Sequence, residues 1–224
     1  MITTAELAKA AEKAFEYLKA QGDIREAEVF AAANGSLLTR INYTSHIPCN
    51  GVEEPKSTES YGIGIQAAFK APEGVKIGFG SEPSDLTLEG ARRALEKARQ
   101  GAVHDPEFHS LPKPTGEPRT LTDYHDPKLL QVRDEELVEA GWKVVTGALR
   151  TFMASSRLVD LAGSEAAVKK LGLILGGDVT ILQERIALVS SHMPEVQSDA
   201  STLIMSFLTA MVEARDAKGS AWST

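Results

Sequence analysis

The stretch from residue 58 to residue 101 constrains the fold most, because its hydrophobic pattern alternates and then takes a helical period. Two alternating runs flank the turn Ala71-Pro72-Glu73-Gly74, in which proline presets φ and glycine tolerates positive φ. Alternation puts large residues on one face of a strand, so the two runs are predicted to pair as a hairpin. The next run has a helical stripe and stops near Gly101. The residues of these patterns are Tyr61, Ile63, Ile65, Ala67 and Phe69, then Val75, Ile77 and Phe79, and then Leu88, Ala91, Leu95 and Ala98. We predict that the hairpin face carrying these large residues is buried against the helix.

The composition is that of a water-soluble globular protein. The 224 residues are 42% hydrophobic and 25% charged, and the net charge is −7. Phosphate contacts supply most of the affinity of nucleic-acid binders, so an acidic chain without a Lys/Arg stripe is not expected to bind nucleic acid directly.

The single cysteine, Cys49, cannot form an internal disulfide, which is typical of a reducing compartment. The first residues lack a basic segment followed by an apolar core, and no apolar run has the length of a membrane span. We therefore expect a cytoplasmic protein that does not bind membranes.

The first residues predict a helix, a strand and a hairpin. Thr3 and Glu6 form a capping-box pattern, and Gly22 follows the apolar stripe of the helix. Residues 28–33 read as a strand, and Asn34-Gly35 is a strong hairpin signal, so 37–43 is predicted as the return strand. Residues 45–56 are predicted as a loop.

The predicted fold class is α+β. An N-terminal domain, residues 1–103, would have an antiparallel or mixed sheet with helices on one face. A linker, 104–127, follows, because five of the ten prolines lie between 103 and 127. Residues 128–224 would form a helix and the start of a second, β-rich domain.

The second half is predicted to hold one long helix and several short strands. The helix would begin at Asp134 and end near Arg150, and 152–162 would contain a short strand. Strands at 173–175 and 179–182 would flank a turn at Gly176-Gly177-Asp178, and 185–190 would be another strand. Residues 202–214 match both a strand and a helix, and propensity slightly favours the helix.

Two polar clusters in the linker are candidate sites. His104, Asp105, Glu107 and His109 have the residue types of a metal site, but a solvated proline-rich loop explains them as well, and we favour that interpretation. Tyr124, His125 and Asp126 form a second cluster, in which we expect Asp126-Pro127 to open the next helix.

We interpret the remaining candidate residues as structural as well. Cys49 has His46 nearby, but nothing in the sequence orients them as nucleophile and base. Gly62-x-Gly64 lacks the third glycine of a dinucleotide-binding fingerprint, so it indicates a position where another backbone comes close. The sequence Gly176-Gly177-Asp178 is more typical of a turn than of a phosphate-binding loop. Met205 and Met211 are expected to fill the core. We therefore assign no catalytic, cofactor-binding or metal-binding residue.

The order of these elements resembles the N-terminal part of the TldD/PmbA family, also called modulators of DNA gyrase. The matching motifs are Ala27-Glu28-Val29, Tyr61-Gly62-Ile63-Gly64-Ile65, Gly78-Phe79-Gly80-Ser81, the helix from Leu88 to Gln100, Asp126-Pro127 before Asp134-Glu135-Glu136-Leu137, and Gly176-Gly177-Asp178 before 184–191. The chain departs from the family at Ser190-Ser191-His192-Met193, where the family has Asn-Ser-x-Gly. Residues 202–214 are a strand in the family, so we predict a strand there.

The resemblance implies a metal-dependent peptidase whose catalytic half is not in this sequence. Family members are about twice as long and carry zinc on a His-Glu-x-x-x-His helix with a later cysteine, whereas no histidine here is followed by glutamate. We expect no cofactor in this chain and zinc only in the missing half. The chain would form the wall of a peptide channel and a dimer surface, with a second copy or a paralogue as partner and an extended peptide as substrate.

Two other functions remain open. The chain could be a stand-alone binding or assembly module, and the reading frame beyond Thr224 discriminates, since a downstream His-Glu-x-x-x-His favours the peptidase. A regulator that binds gyrase or DNA follows only from the family's older name, and the negative charge argues against DNA contact.

Overall fold

The computed structural model describes residues 2–47, 50–115, 121–214 and 217–224. It has the predicted α+β class. The helices are α1 (Thr4–Lys19), α2 (Leu88–Gln100), α3 (Asp134–Ala154), α4 (Ser156–Ala162) and α5 (Glu165–Val168), with a 3₁₀ helix at Pro127–Gln131. The strands are β1 (Ile24–Thr44), β2 (Gly51–Val52), β3 (Lys56–Ala71), β4 (Gly74–Pro83), β5 (Val103–His104), β6 (Gly172–Ser190), β7 (Gln197–Ala214) and β8 (Ala217–Ser223). Among the described residues, no helix combines the length and the hydrophobicity that crossing a bilayer requires.

The strands form one sheet in the order β5-β4-β3-β1-β6-β7-β8, with β2 beside β1. The hairpin predicted between residues 61 and 79 is confirmed. β3 and β4 pair antiparallel from Gly62 opposite Pro83 to Ala71 opposite Gly74. Gly74 has φ of 118°, which explains the glycine at the end of this tight turn.

The large residues of β4 were predicted to pack against α2, but the structure places them on the other face of the sheet. Ile63, Ile65, Ala67 and Phe69 of β3 are buried with the apolar stripe of α2, as predicted. Ile65 pairs with Gly80 and Ala67 with Gly78, so the residues of β4 on this face are glycines. Val75, Ile77 and Phe79 lie on the opposite face, and Phe79 is 66% exposed. The reason is space, because a methyl group at Gly78 or Gly80 would overlap the backbone of α2 at Ala98 or Ala94.

The hairpin predicted at Asn34-Gly35 is wrong, because β1 continues through these residues for 21 positions. Ala31 and Ala33 before the pair are buried, and Thr39 and Ile41 after it are buried at the same alternating positions. A two-residue turn would have placed Ala33 and Ser36 on one face and would have reversed this alternation. The unbroken alternation was therefore the better signal.

The turn predicted at Gly176-Gly177-Asp178 is wrong for the same reason. β6 is one strand of 19 residues, and its odd-numbered positions are buried on both sides of the glycines. The short strand predicted within 152–162 is also wrong, because this segment is the end of α3 and the helix α4. The strand predicted at 202–214 on the basis of the resemblance is confirmed as part of β7.

The chain divides into two compact units that alternate along the sequence. Unit 1 comprises residues 1–35, 59–125 and 183–201, and unit 2 comprises 36–58, 126–182 and 202–224. Four of the five boundaries fall inside β1, β3, β6 and β7, and the fifth lies just before the 3₁₀ helix. The sequence predicted consecutive domains 1–103 and 128–224, whereas β1, β3, β6 and β7 each contribute residues to both units.

Each unit has its own hydrophobic core. In unit 1 the alanine-rich faces of α1 and α2 pack on alternate residues of β1 and β3 and on the end of β6. α1 begins at the predicted capping box, in which the Thr3 hydroxyl accepts the amide N–H of Glu6. In unit 2, Leu137 and Val145 of α3 pack with Ile41, Leu175 and Ile181.

Candidate functional site

An apolar groove lies on the sheet face of unit 1 that α1 and α2 leave uncovered. Its volume is about 270 Å³, and Phe30 of β1 and Phe79 of β4 line it with exposed fractions of 42% and 66%. Exposed aromatic side chains on a sheet face are typical of a surface that contacts another molecule. Glu28 lies on the same face of β1, two residues from Phe30, and burial raises the pKa of its carboxyl group.

The Gly62-x-Gly64 motif forms part of this groove. A Cβ atom at Gly62 would lie 2.7 Å from the carbonyl oxygen of Glu82, which is the close backbone approach that the sequence predicted. A Cβ atom at Gly64 would lie 3.5 Å from the ring of Phe79 and 3.8 Å from the carbonyl oxygen of Phe30. Both are ordinary van der Waals distances, so the Phe79 ring packs beside position 64 without requiring a glycine there.

The open edge of β4 adjoins the groove. Among the described residues, β5 pairs with β4 only at Lys76 and Ile77. From Gly78 to Pro83 no described strand pairs with the outer backbone edge of β4, on which Lys97 Nζ donates to the Ser81 carbonyl oxygen at 2.9 Å. An extended peptide could add to such an edge as a strand and place alternate side chains in the groove.

A buried polar cluster in unit 1 brings together serine, histidine and glutamate. Glu26 is 8% exposed, and its carboxylate lies 3.2 Å from Nε2 of His192 and accepts the Leu111 amide N–H at 2.7 Å. The Ser110 hydroxyl lies 3.0 Å from the same nitrogen of His192. Burial opposes ionisation of Glu26, but the bonds from Leu111 and His192 outweigh it and lower the pKa of this carboxyl group.

The geometry of this cluster does not match a catalytic triad. A triad needs the hydroxyl and the carboxylate on opposite nitrogens of the imidazole, whereas here both contact Nε2. The Ser110 hydroxyl also donates to the Leu111 carbonyl oxygen at 2.9 Å. The cluster therefore fastens the chain around residue 110 to β1. Sequence reasoning missed it because Ser110 and His192 are 82 residues apart and no local pattern links them.

The candidate metal residues of the linker have separate roles. His104 contacts the Glu73 carbonyl oxygen at 2.9 Å through Nε2, the Asp105 carboxylate accepts the Glu107 amide N–H at 3.0 Å, and the His109 carbonyl oxygen accepts from Arg25 at 2.7 Å. Among the described residues, no three His, Cys, Asp or Glu side chains are close enough to hold a metal ion. The linker residues described here therefore do not come together as the metal site that their residue types would allow.

The remaining candidate residues have three different outcomes. Asp126 caps the 3₁₀ helix by accepting the Lys128 amide N–H at 3.0 Å, which confirms that Asp126-Pro127 opens the next helix. Met205 and Met211 are exposed on β7, so their predicted place in the core is wrong. His46 lies in a turn, and Cys49 lies outside the described residues, as do 116–120 of the predicted linker.

The hairpin of β7 and β8 carries a second exposed apolar surface, in unit 2. Its ring pair is Phe207 and Trp222, whose centroids are 6.1 Å apart, and Trp222 is 72% exposed. Leu203, Met205 and Met211 are exposed on the same face of β7, whereas the exposed Ile204 lies on the opposite face. Among the described residues, β8 pairs only with β7, so it forms an edge of the sheet.

Comparison with solved structures identifies the architecture. TldE from Thermococcus kodakarensis is 12% identical, with a TM-score of 0.63 over 97% of this chain and 42% of TldE. This chain shares the fold of TldE. It also matches two proteins described as modulators of DNA gyrase, from Bacteroides thetaiotaomicron (14% identity, 96% and 43% of the two chains, TM-score 0.58) and from Thermotoga maritima (14%, 96% and 42%, TM-score 0.52).

These matches confirm the predicted resemblance at the level of the fold. The chain spans about 42% of the length of the structures it matches, among them TldE. No model of a known protein family matches the sequence, and no curated protein does. The comparison therefore shows the fold of this part and not the activity of the whole proteins.

Proposed function

We propose that this chain is the substrate-holding portion of a TldD/PmbA-type metal-dependent peptidase and that it does not cut peptides by itself. The observation that carries the proposal is the groove of unit 1, where exposed aromatic rings adjoin an open strand edge. The shared fold with TldE supports the family context. The geometry of the polar cluster around His192 supports the absence of catalysis by that cluster, because it lacks the arrangement of a nucleophile and its base.

An extended peptide would bind by adding a strand to residues 78–82 of β4. Its backbone would supply the hydrogen bonds, and apolar side chains on alternate residues would pack against Phe30 and Phe79. Backbone bonds do not depend on the sequence of the peptide, so specificity would come from the residues in the groove. Such binding suits a protein that handles many unfolded peptides.

Binding of a fluorescent ten-residue peptide with alternating phenylalanine and serine tests this proposal by anisotropy. Phe79→Ser is expected to weaken binding about tenfold, because one large apolar contact is lost. The control variant Leu121→Ser changes an equally exposed residue, at 67%, in the chain between β5 and the 3₁₀ helix, and is expected to bind normally.

A peptide of the same sequence with N-methyl groups on alternate residues tests the strand addition. It retains the side chains but cannot donate backbone hydrogen bonds at those positions, so its binding is expected to be lost. The proposal would be contradicted if the chain bound both peptides equally, or if the Phe79→Ser variant bound the unmethylated peptide as tightly as the parent chain does. Cleavage of the peptide by the purified chain, abolished by mutating one of its own side chains, would contradict the non-catalytic role.

A stand-alone assembly module is a second candidate function, favoured by the apolar hairpin of β7 and β8. It requires a protein partner for this hairpin and no peptide binding in the groove. The peptide experiment therefore separates the two functions.

A further inference from the structure

A peptide added to the edge of β4 would have a second face, which lies away from the groove and beside α2. The Ser84 amide N–H donates to the Tyr61 carbonyl oxygen at 2.8 Å. Bonded pairs alternate along an antiparallel ladder, so the backbone groups of Phe79 and Ser81 point away from β3. Peptide residues opposite these two would face the groove, and the residue opposite Gly80 would face α2.

Lys97 of α2 reaches this outer edge of β4. A Cβ atom at Gly80 would lie 2.9 Å from Cβ of Lys97, so the lysine stem starts directly over the strand. Its ammonium group donates to the Ser81 carbonyl oxygen at 2.9 Å and to the Glu82 carboxylate at 2.7 Å. An added strand would use the same carbonyl oxygen as an acceptor, so it would displace the first of these two bonds.

The charged side chains beside the edge are arranged with the cations outermost. Arg93 Nε lies 3.3 Å from the Glu82 carboxylate, and the Arg93 guanidinium group also pairs with Asp85. The side chains of Lys97 and Arg93 are 52% and 44% exposed. The side chains of Glu82 and Asp85 are only 17% and 23% exposed. A molecule that approaches this edge therefore meets positive charge first.

The other charged residues of α2 have their partners away from this edge. Arg92 lies over the Tyr17 ring of α1, 5.3 Å from its centroid, and pairs with Glu89. Arg99 lies 4.0 Å from Glu96 and also pairs with an aspartate that precedes β1. The two glutamates of α2 are therefore paired with other arginines and do not offset the cations at the edge of β4.

We propose that this edge selects peptides in which an acidic residue lies between two apolar residues. The apolar side chains would pack in the groove against the rings of Phe30 and Phe79. The acidic residue would lie opposite Gly80, where its carboxylate would bind Lys97 as the peptide takes the Ser81 carbonyl oxygen. Directly opposite side chains on paired strands are about 5 Å apart, which is within reach of a lysine that starts over the strand. The inference rests on the proposed strand addition and names the class of peptide that it favours.

Three fluorescent peptides test this selection by anisotropy. Each is the ten-residue peptide of alternating phenylalanine and serine with one central serine replaced by glutamate, glutamine or lysine. The glutamate peptide is expected to bind about threefold more tightly than the glutamine peptide, as for one exposed ion pair, and the lysine peptide about threefold more weakly. The net charge of −7 would by itself favour the lysine peptide, so general attraction cannot produce this order. Raising the salt concentration about tenfold is expected to reduce the differences.

Variants of α2 assign the preference to Lys97. Lys97→Met keeps an apolar stem, and it is expected to remove most of the preference for glutamate over glutamine. The same variant is expected to bind the glutamine peptide at least as tightly as the parent chain, because the ammonium group no longer occupies the Ser81 carbonyl oxygen. Arg92→Met, on the side of α2 toward α1, is the matched control and is expected to keep the full preference.

The outcomes separate this inference from the proposed function. Equal binding of the glutamate and glutamine peptides, or an unchanged preference in Lys97→Met, would overturn the selection by charge alone, since binding of the glutamine peptide would still support strand addition. Failure of all three peptides to bind would overturn both the selection and the proposed function.

Discussion

At the scale of single residues, Glu26 connects three segments that are distant in sequence. Its carboxylate accepts the Leu111 amide N–H, contacts His192, and lies 3.6 Å from the Arg25 guanidinium group. A buried carboxylate is stable in its ionised form only when such partners replace its water. Glu26 therefore acts as a fastening point for the chain around residue 110.

Glu26→Gln is expected to lower the free energy of unfolding by about 1–3 kcal/mol, because the charge that these donors stabilise is removed. Denaturant unfolding at pH 7 measures this difference. Glu89→Gln, on the surface of α2, is the control and is expected to change stability little. A loss as small as that of the control would contradict the fastening role.

The same residue predicts a pH dependence. The pKa of Glu26 is lower in the folded chain than its ordinary value of 4.5, so its stabilising contribution is complete above pH 4.5. The contribution is lost as the pH falls through the lower folded pKa, when the carboxylate takes up a proton. We expect the unfolding free energy of the parent chain to fall more steeply below pH 4.5 than that of Glu26→Gln. Parallel curves for the two proteins would contradict this assignment.

At the scale of elements, the contact of α2 with β4 depends on two glycines. Gly78 and Gly80 bring the strand backbone close to the carbonyl oxygens of Ala98 and Ala94 on the helix. Small residues on both elements shorten their separation, and the larger side chains of β4 consequently lie on the other face. This arrangement explains why Phe79 is available to line the apolar groove.

Gly78→Ala is expected to destabilise the chain by about 2–3 kcal/mol, because the added methyl group overlaps backbone that cannot rotate away. Thermal or denaturant unfolding measures the change. Gly176→Ala in β6 is the matched control, since a Cβ atom there has no neighbour within 4 Å, and it is expected to be neutral or slightly stabilising. Equal effects of the two substitutions would contradict the packing argument.

At the scale of the whole molecule, the edge at β8 and the apolar hairpin of β7 and β8 predict association. An exposed strand edge with unpaired backbone groups is a template for pairing with another chain. The exposed Phe207 and Trp222 add apolar area that association would bury. We propose a second copy of this chain, or a paralogue, as the partner.

Sedimentation velocity over a hundredfold range of concentration is expected to show self-association. The double variant Phe207→Ser/Trp222→Ser is expected to weaken it, whereas Leu161→Ser, an exposed residue of α4, is the control. A chain that stays monomeric is instead expected to show faster hydrogen exchange in residues 128–224 than in 1–103. A monomer with equally slow exchange in both parts would contradict both expectations.

The sequence by itself determined the features that depend on neighbouring residues. The capping box of α1, the turn between β3 and β4 and the stripe of α2 each lie within a short segment, and each was predicted correctly. The strand at 202–214 was predicted only through the resemblance, because its own pattern is compatible with both a helix and a strand.

Only the tertiary structure decided which glycines turn the chain and which residues meet. Asn34-Gly35 and Gly176-Gly177 could form turns locally, but pairing with neighbouring strands keeps β1 and β6 extended through them. The cluster of Glu26, Ser110 and His192 joins segments far apart in the sequence, so no local pattern could reveal it. Turn propensities act over a few residues, whereas strand pairing and burial act over the whole fold, and in this protein the longer-range terms are larger.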